Sequence, residues 1–482
     1  ILYTIIGNIW LKYIFNKYTT SFKQGGEVMI NLRELPIEQL TKLDFQCSCG
    51  HHHKVSIENV LIGSAILEEL PEILYQYKGK RILLIADKNT YEVAGQQVID
   101  VLSNGFSYNK FIYPDDHLVA DAKSLGALLM EIEDNISLML TIGSGTLNDI
   151  TRFISAKTKI PYVIVATAPS MDGYASVVSP LIRNGVKTTF KGVYPIAIIG
   201  DTQIMKDAPM HMLHAGLGDV LGKYTGLADW RMSKIMGLER NESYCDNISN
   251  LVEAAVKKCL DTASKLSSRD EGAIQAIMEG LILSGLCIGL AGHSRPASGS
   301  EHQIAHYIEM KYLQENIYTK WLHGNKVGVA TLAVLQAYDY LFSQDIEDIQ
   351  RSTSYRVFDK DRWARRVERC YGDMADEIFH LKEDSLLIDI EEREDRMDLI
   401  VSRWEDIKAK CYLNLPSSSQ LMELLKEIGA VCSPKDLGMD RQLFKDSLIV
   451  AKEIRNRYGI MQLLDDLGML EEAAEYIADQ YY

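Results

Sequence analysis

The sequence predicts an α/β chain: a Rossmann-like N-terminal domain built on a parallel sheet, then an all-helical C-terminal domain. Three observations predict it. From about residue 80 to 200, short Val/Ile/Leu runs alternate with helical patterns. The runs are near-continuous rather than alternating, as in strands covered on both faces. After about residue 205 the apolar period is helical almost throughout.

The elements read as follows. Arg81–Asp87 is a buried strand ending in a carboxylate, and a helix over Tyr91–Leu102 follows it. Lys110–Tyr113 and Leu138–Ile142 are further strands, the latter running into a glycine turn. Tyr162–Ala166 and Ile196–Ile199 complete the set, with a hairpin whose tip is Asn184-Gly185 between them. Asn247–Leu266 and Ala273–Leu290 read as long helices. Glu391–Arg396 reads as a solvated helix face, and Pro416-Ser417-Ser418-Ser419 as a loop capping the next helix. The expected division is 29–204 for the α/β dinucleotide-binding domain and 205–482 for the helical metal- and substrate-binding domain.

Residues 1–28 are set apart. The first 15 are apolar with Lys12 among them, shorter than the roughly 20 residues that span a bilayer. No basic region precedes them and no A-x-A site follows, so a signal peptide fits poorly. Lys23–Met29 back-translates to a purine-rich ribosome-binding sequence ahead of an ATG. Residues 1–28 are therefore expected to be translated upstream sequence, with Met29 the natural start.

Of the 482 residues, 47% are apolar, ample for a large core and for two or three domains. The 51 basic and 66 acidic residues give a net charge of −15. Such a surface repels a phosphate backbone and argues against a nucleic-acid partner, while a few local cations can still hold a small anion. Eight cysteines lie mostly in apolar stretches such as Gly285-Leu286-Cys287-Ile288. They suit a reduced, cytoplasmic protein better than a disulfide framework. No membrane span is expected.

The glycine turn Gly143-Ser144-Gly145-Thr146-Leu147-Asn148-Asp149 joins a strand to a helix. Glycines there let backbone approach a pyrophosphate, and the helix N-terminus supplies N–H donors and positive dipole charge. Asn148 stands where a third glycine would complete the dinucleotide fingerprint, so a plain structural turn also fits. Asp87 can accept from a ribose hydroxyl, which favours NAD over NADP; a helix N-cap is its other reading. The polar loop Thr167–Ser176 also ends a strand, where open α/β sheets bind ligands.

Asp219, His302 and His323 supply one carboxylate and two imidazoles, a three-ligand set with open positions. A divalent ion held there acts as a Lewis acid on a carbonyl oxygen. Read singly, each histidine also fits a structural role. Ser298-x-x-Glu301 reads as a capping box that puts His302 in the first turn of a helix. His306 lies one turn on, suited to substrate contact or proton transfer, with second metal ligand as the rival role. His214, five residues from Asp219, points elsewhere on a continuous helix. Cys47-x-Cys49-Gly50-His51-His52-His53 has metal-binding residue types without a second distant cysteine pair; it reads as an exposed β-turn, with a zinc site as the other reading.

Segments 143–149, 167–176, Ala215–Asp219, Ser294–His302 and His323–Val327 together resemble the sn-glycerol-1-phosphate dehydrogenase family. That family lies in the iron-containing alcohol dehydrogenase superfamily, with glycerol dehydrogenase and dehydroquinate synthase as relatives. Leu437–Arg441 and Ala451–Arg455 share the likeness. The resemblance implies a dehydroquinate synthase-like architecture with a cleft between its two parts. It implies Asp219, His302 and His323 as ligands of one divalent metal, zinc or nickel. It implies cofactor contacts at Gly143, Gly145, Thr146, Leu147, Asn148, Asp149, Thr167, Ala168, Pro169 and Ser170, with Asp87 and Ser176 beside them. Asp172, Asp219 and His306 become substrate contacts. The segment around 340–410 is longer than the resemblance leads one to expect.

The activity so implied is metal-assisted reduction of dihydroxyacetone phosphate by NADH, or NADPH, to glycerol 1-phosphate. Arg295 is the expected phosphate clamp, with a structural arginine at the helix entry as its other reading. A polyol dehydrogenase of glycerol dehydrogenase type and a non-catalytic nucleotide-binding protein are the competing functions. A homo-oligomer, dimer or larger, is expected.

Overall fold

The computed structural model describes residues 35–482 apart from 103–104, 116, 184–185, 352–357, 384 and 386–389. The proposed upstream segment 1–28 lies outside the described residues. A small antiparallel ribbon, β1 (Asp44–Gln46) and β2 (His52–Lys54), leads into the main sheet. That sheet comprises β3 (Asn59–Gly63), β4 (Arg81–Asp87), β5 (Ser107–Tyr113), β6 (Ile136–Gly143), β7 (Tyr162–Ala166) and β10 (Ala197–Asp201). Its order is β3-β10-β7-β6-β4-β5, with every pairing parallel. The chain moves outward from β4 to β5, then crosses back to β6 on the other side of β4. The carboxyl ends of β4 and β6 therefore form the switch point where open α/β sheets bind ligands.

The near-continuous apolar runs have the expected cause. Ile82, Leu84, Leu138, Leu140, Ile142, Val163 and Val165 fill a core on one face of the sheet. Leu83, Ile85, Met139, Ile164 and Ile198 face the opposite way, into a second core shared with the helices. β8 (Val178–Arg183) and β9 (Val186–Lys191) form an antiparallel hairpin with Arg183 opposite Val186. The Asn184-Gly185 tip itself lies outside the described residues.

After β10 the described elements are helical. The helices that frame the sites are α1 (Gly145–Thr158), between β6 and β7, and, after β10, α2 (Met210–Leu221), α3 (Lys223–Ile235), α4 (Asp246–Thr262), α5 (Glu271–Ala291), α6 (Ser300–Gln314) and α7 (His323–Phe342). α5 is long and apolar enough to cross a bilayer, but 78% of its most apolar window is buried inside the protein. All eight cysteines are free thiols.

Several elements differ from expectation. β3 was not foreseen: it is short and pairs only with β10 at the sheet edge. β5 starts at Ser107 because its first residues are polar and edge-exposed. The helix after β4 runs Lys88–Leu102 with a π-turn over Tyr91–Gly95. Ser417 occupies the N-cap of Ser418–Glu427 without a side-chain cap bond. The Cys47–His53 turn is less exposed than a surface turn: Cys47 and His53 are buried.

The Glu391–Arg396 stretch is the clearest departure. Its helix, α8 (Ile390–Ile407), turns Arg393 and Arg396 inward. Arg396 forks onto Asp466 through Nε (2.9 Å) and Nη2 (3.1 Å). Asp466 is fully buried and also accepts from Tyr458 Oη at 3.0 Å and Gln462 Nε2 at 3.0 Å. The acidic partner lies 70 residues downstream, out of reach of a local pattern. Removing one partner of such a pair leaves a buried charge and costs about 3–5 kcal/mol. Arg396→Met should lower the unfolding free energy by that much, read as a lower urea midpoint at unchanged slope; a loss under about 1 kcal/mol would show the pair to be dispensable.

Candidate active site and metal centre

The cofactor cleft is assembled from two strand-end loops. β6 ends at Gly143, and α1 begins at Gly145 with Ser144 as an N-cap that makes no side-chain cap bond. Ser144, Gly145 and Thr146 are half-buried, so this helix start keeps a face open beside the loop after β7. Thr167 N donates to Gly143 O at 3.1 Å and ties the two loops together. Tyr174 Oη braces the second loop by donating to Ala168 O at 2.6 Å. Asp87 closes β4 at the same sheet edge; its Oδ1 accepts from Thr90 N at 2.8 Å, so the N-cap reading of Asp87 is realised.

Not every foreseen contact faces the cleft. Leu147 packs in the core. Asn148 is fully buried and donates to Gly173 O at 3.2 Å. Asp149 pairs with the buried Arg152 at 2.6 Å, and Arg152 also donates to the carbonyls of Val178 and Gly173. These side chains shape the loop from behind. Ser176 accepts from Val178 N at 3.1 Å and closes its far end.

Beside this cleft, α2, α3, α6 and α7 bring the acidic and imidazole groups together. Asp219 Oδ1 lies 3.4 Å from His302 Nε2, and Asp219 Oδ2 accepts from Asp172 N at 3.0 Å. Lys223, one turn beyond Asp219, donates to Asp219 Oδ1 at 2.6 Å and to Asp172 Oδ2 at 2.9 Å. Ser284 of α5 donates to the same Asp172 oxygen at 3.0 Å. Burial opposes the charge on Asp219, but the Lys223 ammonium and the His302 ring override it and hold its carboxyl well below the usual range.

The imidazoles are oriented by carboxylates. His302 Nδ1 donates to Glu301 Oε1 at 2.8 Å, which leaves Nε2 toward Asp219. Burial and Lys223 push His302 down, while its bonds to Asp219 and Glu301 outweigh them and raise it to about 8. His323 Nδ1 meets Glu309 Oε1 at 3.0 Å, and His306 Nδ1 lies 3.4 Å from Glu309 Oε2. The rings of His302 and His323 are 5.2 Å apart, and those of His306 and His323 stack at 4.9 Å. Asp172, Asp219 and His302 form one compact donor group; His306, Glu309 and His323 form the next. His306 and His323 are 36% and 23% exposed, against 6% for His302, so the cluster opens on their side.

Close backbone contacts set these positions. A methyl group on Gly216 would strike the Pro169 carbonyl, and one on Gly218 would strike the Gly324 carbonyl. The first contact seats α2 on the Thr167–Asp172 loop; the second seats it on the start of α7, beside His323.

Residues 61–209 match the family model described as iron-containing alcohol dehydrogenase. The NAD(P)+ glycerol-1-phosphate dehydrogenase of Geobacillus stearothermophilus is 32% identical over 447 residues, covering 90% of this chain and 99% of that relative. The chain belongs to the glycerol-1-phosphate dehydrogenase family. The family member from Bacillus velezensis is 38% identical over 291 residues, 60% of this chain and 73% of that one. In fold, this chain is similar to the crystal structure of glycerol dehydrogenase from Schizosaccharomyces pombe. The TM-score is 0.55 at 16% identity, covering 91% of this chain and 93% of that one.

One foreseen role in this glycerol-1-phosphate dehydrogenase family chain is corrected. Arg295 is 2% exposed, donates through Nη2 to Tyr458 O at 2.8 Å, and has Nε 3.7 Å from Glu242. A guanidinium so enclosed cannot clamp a phosphate; it braces the entry to α6. Arg457 adds to that brace, bonding Glu242, Ser294 and Ser298. The helix also starts one residue later than expected, with Gly299 as N-cap. Glu301 reaches back to Gly299 N at 2.7 Å, and buried Asp229 accepts from Ser300 N, Ser300 Oγ, Tyr338 Oη and Ile460 N. Lys223, Glu301 and Glu309 were missed as site residues. The i,i+4 spacing of Asp219 and Lys223 and the i,i+3 spacing of His306 and Glu309 were the available signals.

Gly216→Ala should cost about 1–3 kcal/mol through overpacking and weaken NADH binding as the Pro169 loop is displaced. Denaturation together with NADH fluorescence titration tests this. Unchanged stability and affinity would show that α2 is not pinned at this contact.

Proposed function

We propose that the chain interconverts dihydroxyacetone phosphate and sn-glycerol 1-phosphate in a metal-assisted, NAD(P)-linked reaction. The observation that carries this reading is the adjacency of two donor groups: Asp219 lies 3.4 Å from His302, whose ring is 5.2 Å from that of His323. The family relationship supports the substrate, and free thiols at all eight cysteines support a reducing, cytoplasmic setting.

The donor set fits one divalent cation. Asp219 is kept anionic, and the Nδ1 atoms of His302 and His323 face carboxylates, so their Nε2 atoms are the ones that would turn to a metal. One carboxylate with two imidazoles suits zinc or nickel equally. The start of α1 fits a pyrophosphate, and Asp87 at the end of β4 favours NADH over NADPH. When bound, the metal supplies Lewis-acid polarisation of a carbonyl and the nicotinamide supplies hydride.

The chain's own groups do the rest. Lys223 bridges Asp172 and Asp219 and offsets the repulsion between them. Asp172 Oδ1, the oxygen not engaged by Lys223 or Ser284, is placed to accept from a substrate hydroxyl. His306, with Nδ1 toward Glu309, offers Nε2 on the open side to hold or pass a proton.

The test is NADH oxidation by chelator-stripped protein reloaded across a metal panel, with dihydroxyacetone and dihydroxyacetone phosphate compared. Rapid, metal-dependent turnover of the phosphorylated substrate is expected. Asp219→Ala or His302→Ala should lower kcat/KM by about 10²–10³-fold or more, the scale of losing one electrostatic stabiliser. Glu309→Gln should weaken metal binding about 10–100-fold while sparing NADH affinity. Equal rates on the two substrates would move the assignment to a polyol dehydrogenase. No turnover with any reloaded metal would leave a nucleotide-binding protein without catalysis.

A further inference from the structure

A second group of metal-binding side chains lies apart from the cleft, where the β1–β2 ribbon meets the helices. The turn from Cys47 to His51 is closed by Cys47 N to His51 O at 3.0 Å and Gly50 N to Cys47 O at 3.0 Å, with Gly50 at φ +89°. It presents Cys47 and Cys49 on the same side as His53. The ligand missing from the local motif comes from 196 positions beyond Cys49: Cys245, the N-cap residue of α4. Cys47 Sγ and Cys245 Sγ are 3.6 Å apart; His53 Nε2 lies 3.2 Å from Cys49 Sγ and 3.5 Å from Cys245 Sγ. All four donor atoms fall within 4.8 Å of one another.

We infer that Cys47, Cys49, His53 and Cys245 form a closed, structural zinc site. A tetrahedron with Zn–S of about 2.3 Å and Zn–N of about 2.0–2.1 Å has S···S edges of about 3.8 Å and S···N edges of about 3.5 Å. The observed separations are close to those edges. Each of the three sulfurs has a hydrogen-bond donor beside it. Asn247 Nδ2 donates to Cys47 Sγ at 3.3 Å. The backbone N–H groups of Cys49, His51 and Ile248 hydrogen-bond the sulfurs of Cys47, Cys49 and Cys245 respectively. His53 Nδ1 donates to Leu290 O at 2.7 Å, which fixes the tautomer that leaves the Nε2 lone pair among the sulfurs. Cys47, His53 and Cys245 are buried and Cys49 is half-buried. Three sulfurs and one imidazole favour zinc over a hard cation.

Four protein ligands leave no open position, so this site holds structure rather than performing chemistry. It ties the N-terminal ribbon to the start of α4 and, through Leu290, to the end of α5. Because it shares no residue with the Asp219 cluster, the two centres can be tested separately.

The experiment is metal analysis of the purified full chain, wild type beside His302→Ala and Cys49→Ser, together with the spectrum of cobalt-substituted protein. One equivalent of zinc that survives in His302→Ala and disappears in Cys49→Ser is expected, with a lower Tm in Cys49→Ser. Cobalt should give thiolate-to-metal charge transfer in wild type and His302→Ala, a band that an Asp/His₂ centre cannot produce. If Cys49→Ser does not fold, the His302→Ala spectrum decides. Absence of that band, or recovery of a Cys47–Cys245 disulfide from native protein by mass spectrometry, would overturn the site.

Discussion

Two carboxylates facing one another, the half-buried Asp172 and the buried Asp219, are the arrangement on which the rest of the site depends. Like charges out of water are tolerated only with a cation at hand. Lys223 supplies one from the same helical stretch as Asp219, touching both. The carboxylates meet because the Thr167–Asp172 loop and α2 approach until only glycine fits at position 216. That contact joins the parallel-sheet half of the chain to its helical half. The hydrogen bond from Asp172 N to Asp219 is its polar counterpart.

The sequence made much of this legible. Strands covered on both faces leave unbroken apolar runs, and Tyr162–Ala166 is read to the residue. The glycine turn lies beside the loop after Ala166, and Asp172 and Asp219 lie beside the imidazoles. The losses have one physical cause: charge pairing across long separations leaves no periodic trace. Arg295 and Arg396 look like surface cations until Tyr458 and Asp466 are placed against them. Cys245 is a lone cysteine ahead of a helix until the Cys47 turn folds onto it. Asn148 and Asp149 sit where a cofactor contact belongs, but Arg152 and the Gly173 carbonyl claim their side chains from behind. Lys223 and Glu309 were within reach, since helical spacing alone places each beside a residue already singled out.

α5 connects features that would otherwise seem unrelated. Its last turn gives the Leu290 carbonyl to His53, and Ser284, less than two turns back, donates to Asp172. Its apolar body forms the core behind the sheet. An apolar helix of this length could suggest a membrane segment; here its polar atoms are spent on two sites at one end.

The brace at the entry to α6 orders events in time. Arg295 is held by the Tyr458 carbonyl, and Asp229 orients Ser300 with the help of the Ile460 amide. His302 therefore acquires its final setting from residues near the end of the chain. A nascent polypeptide whose sheet is already complete on the ribosome still lacks these anchors. Its imidazole cluster takes its final setting only once Tyr458 and Ile460 are in place, and losing Tyr458 would remove a support of an imidazole more than 150 positions upstream.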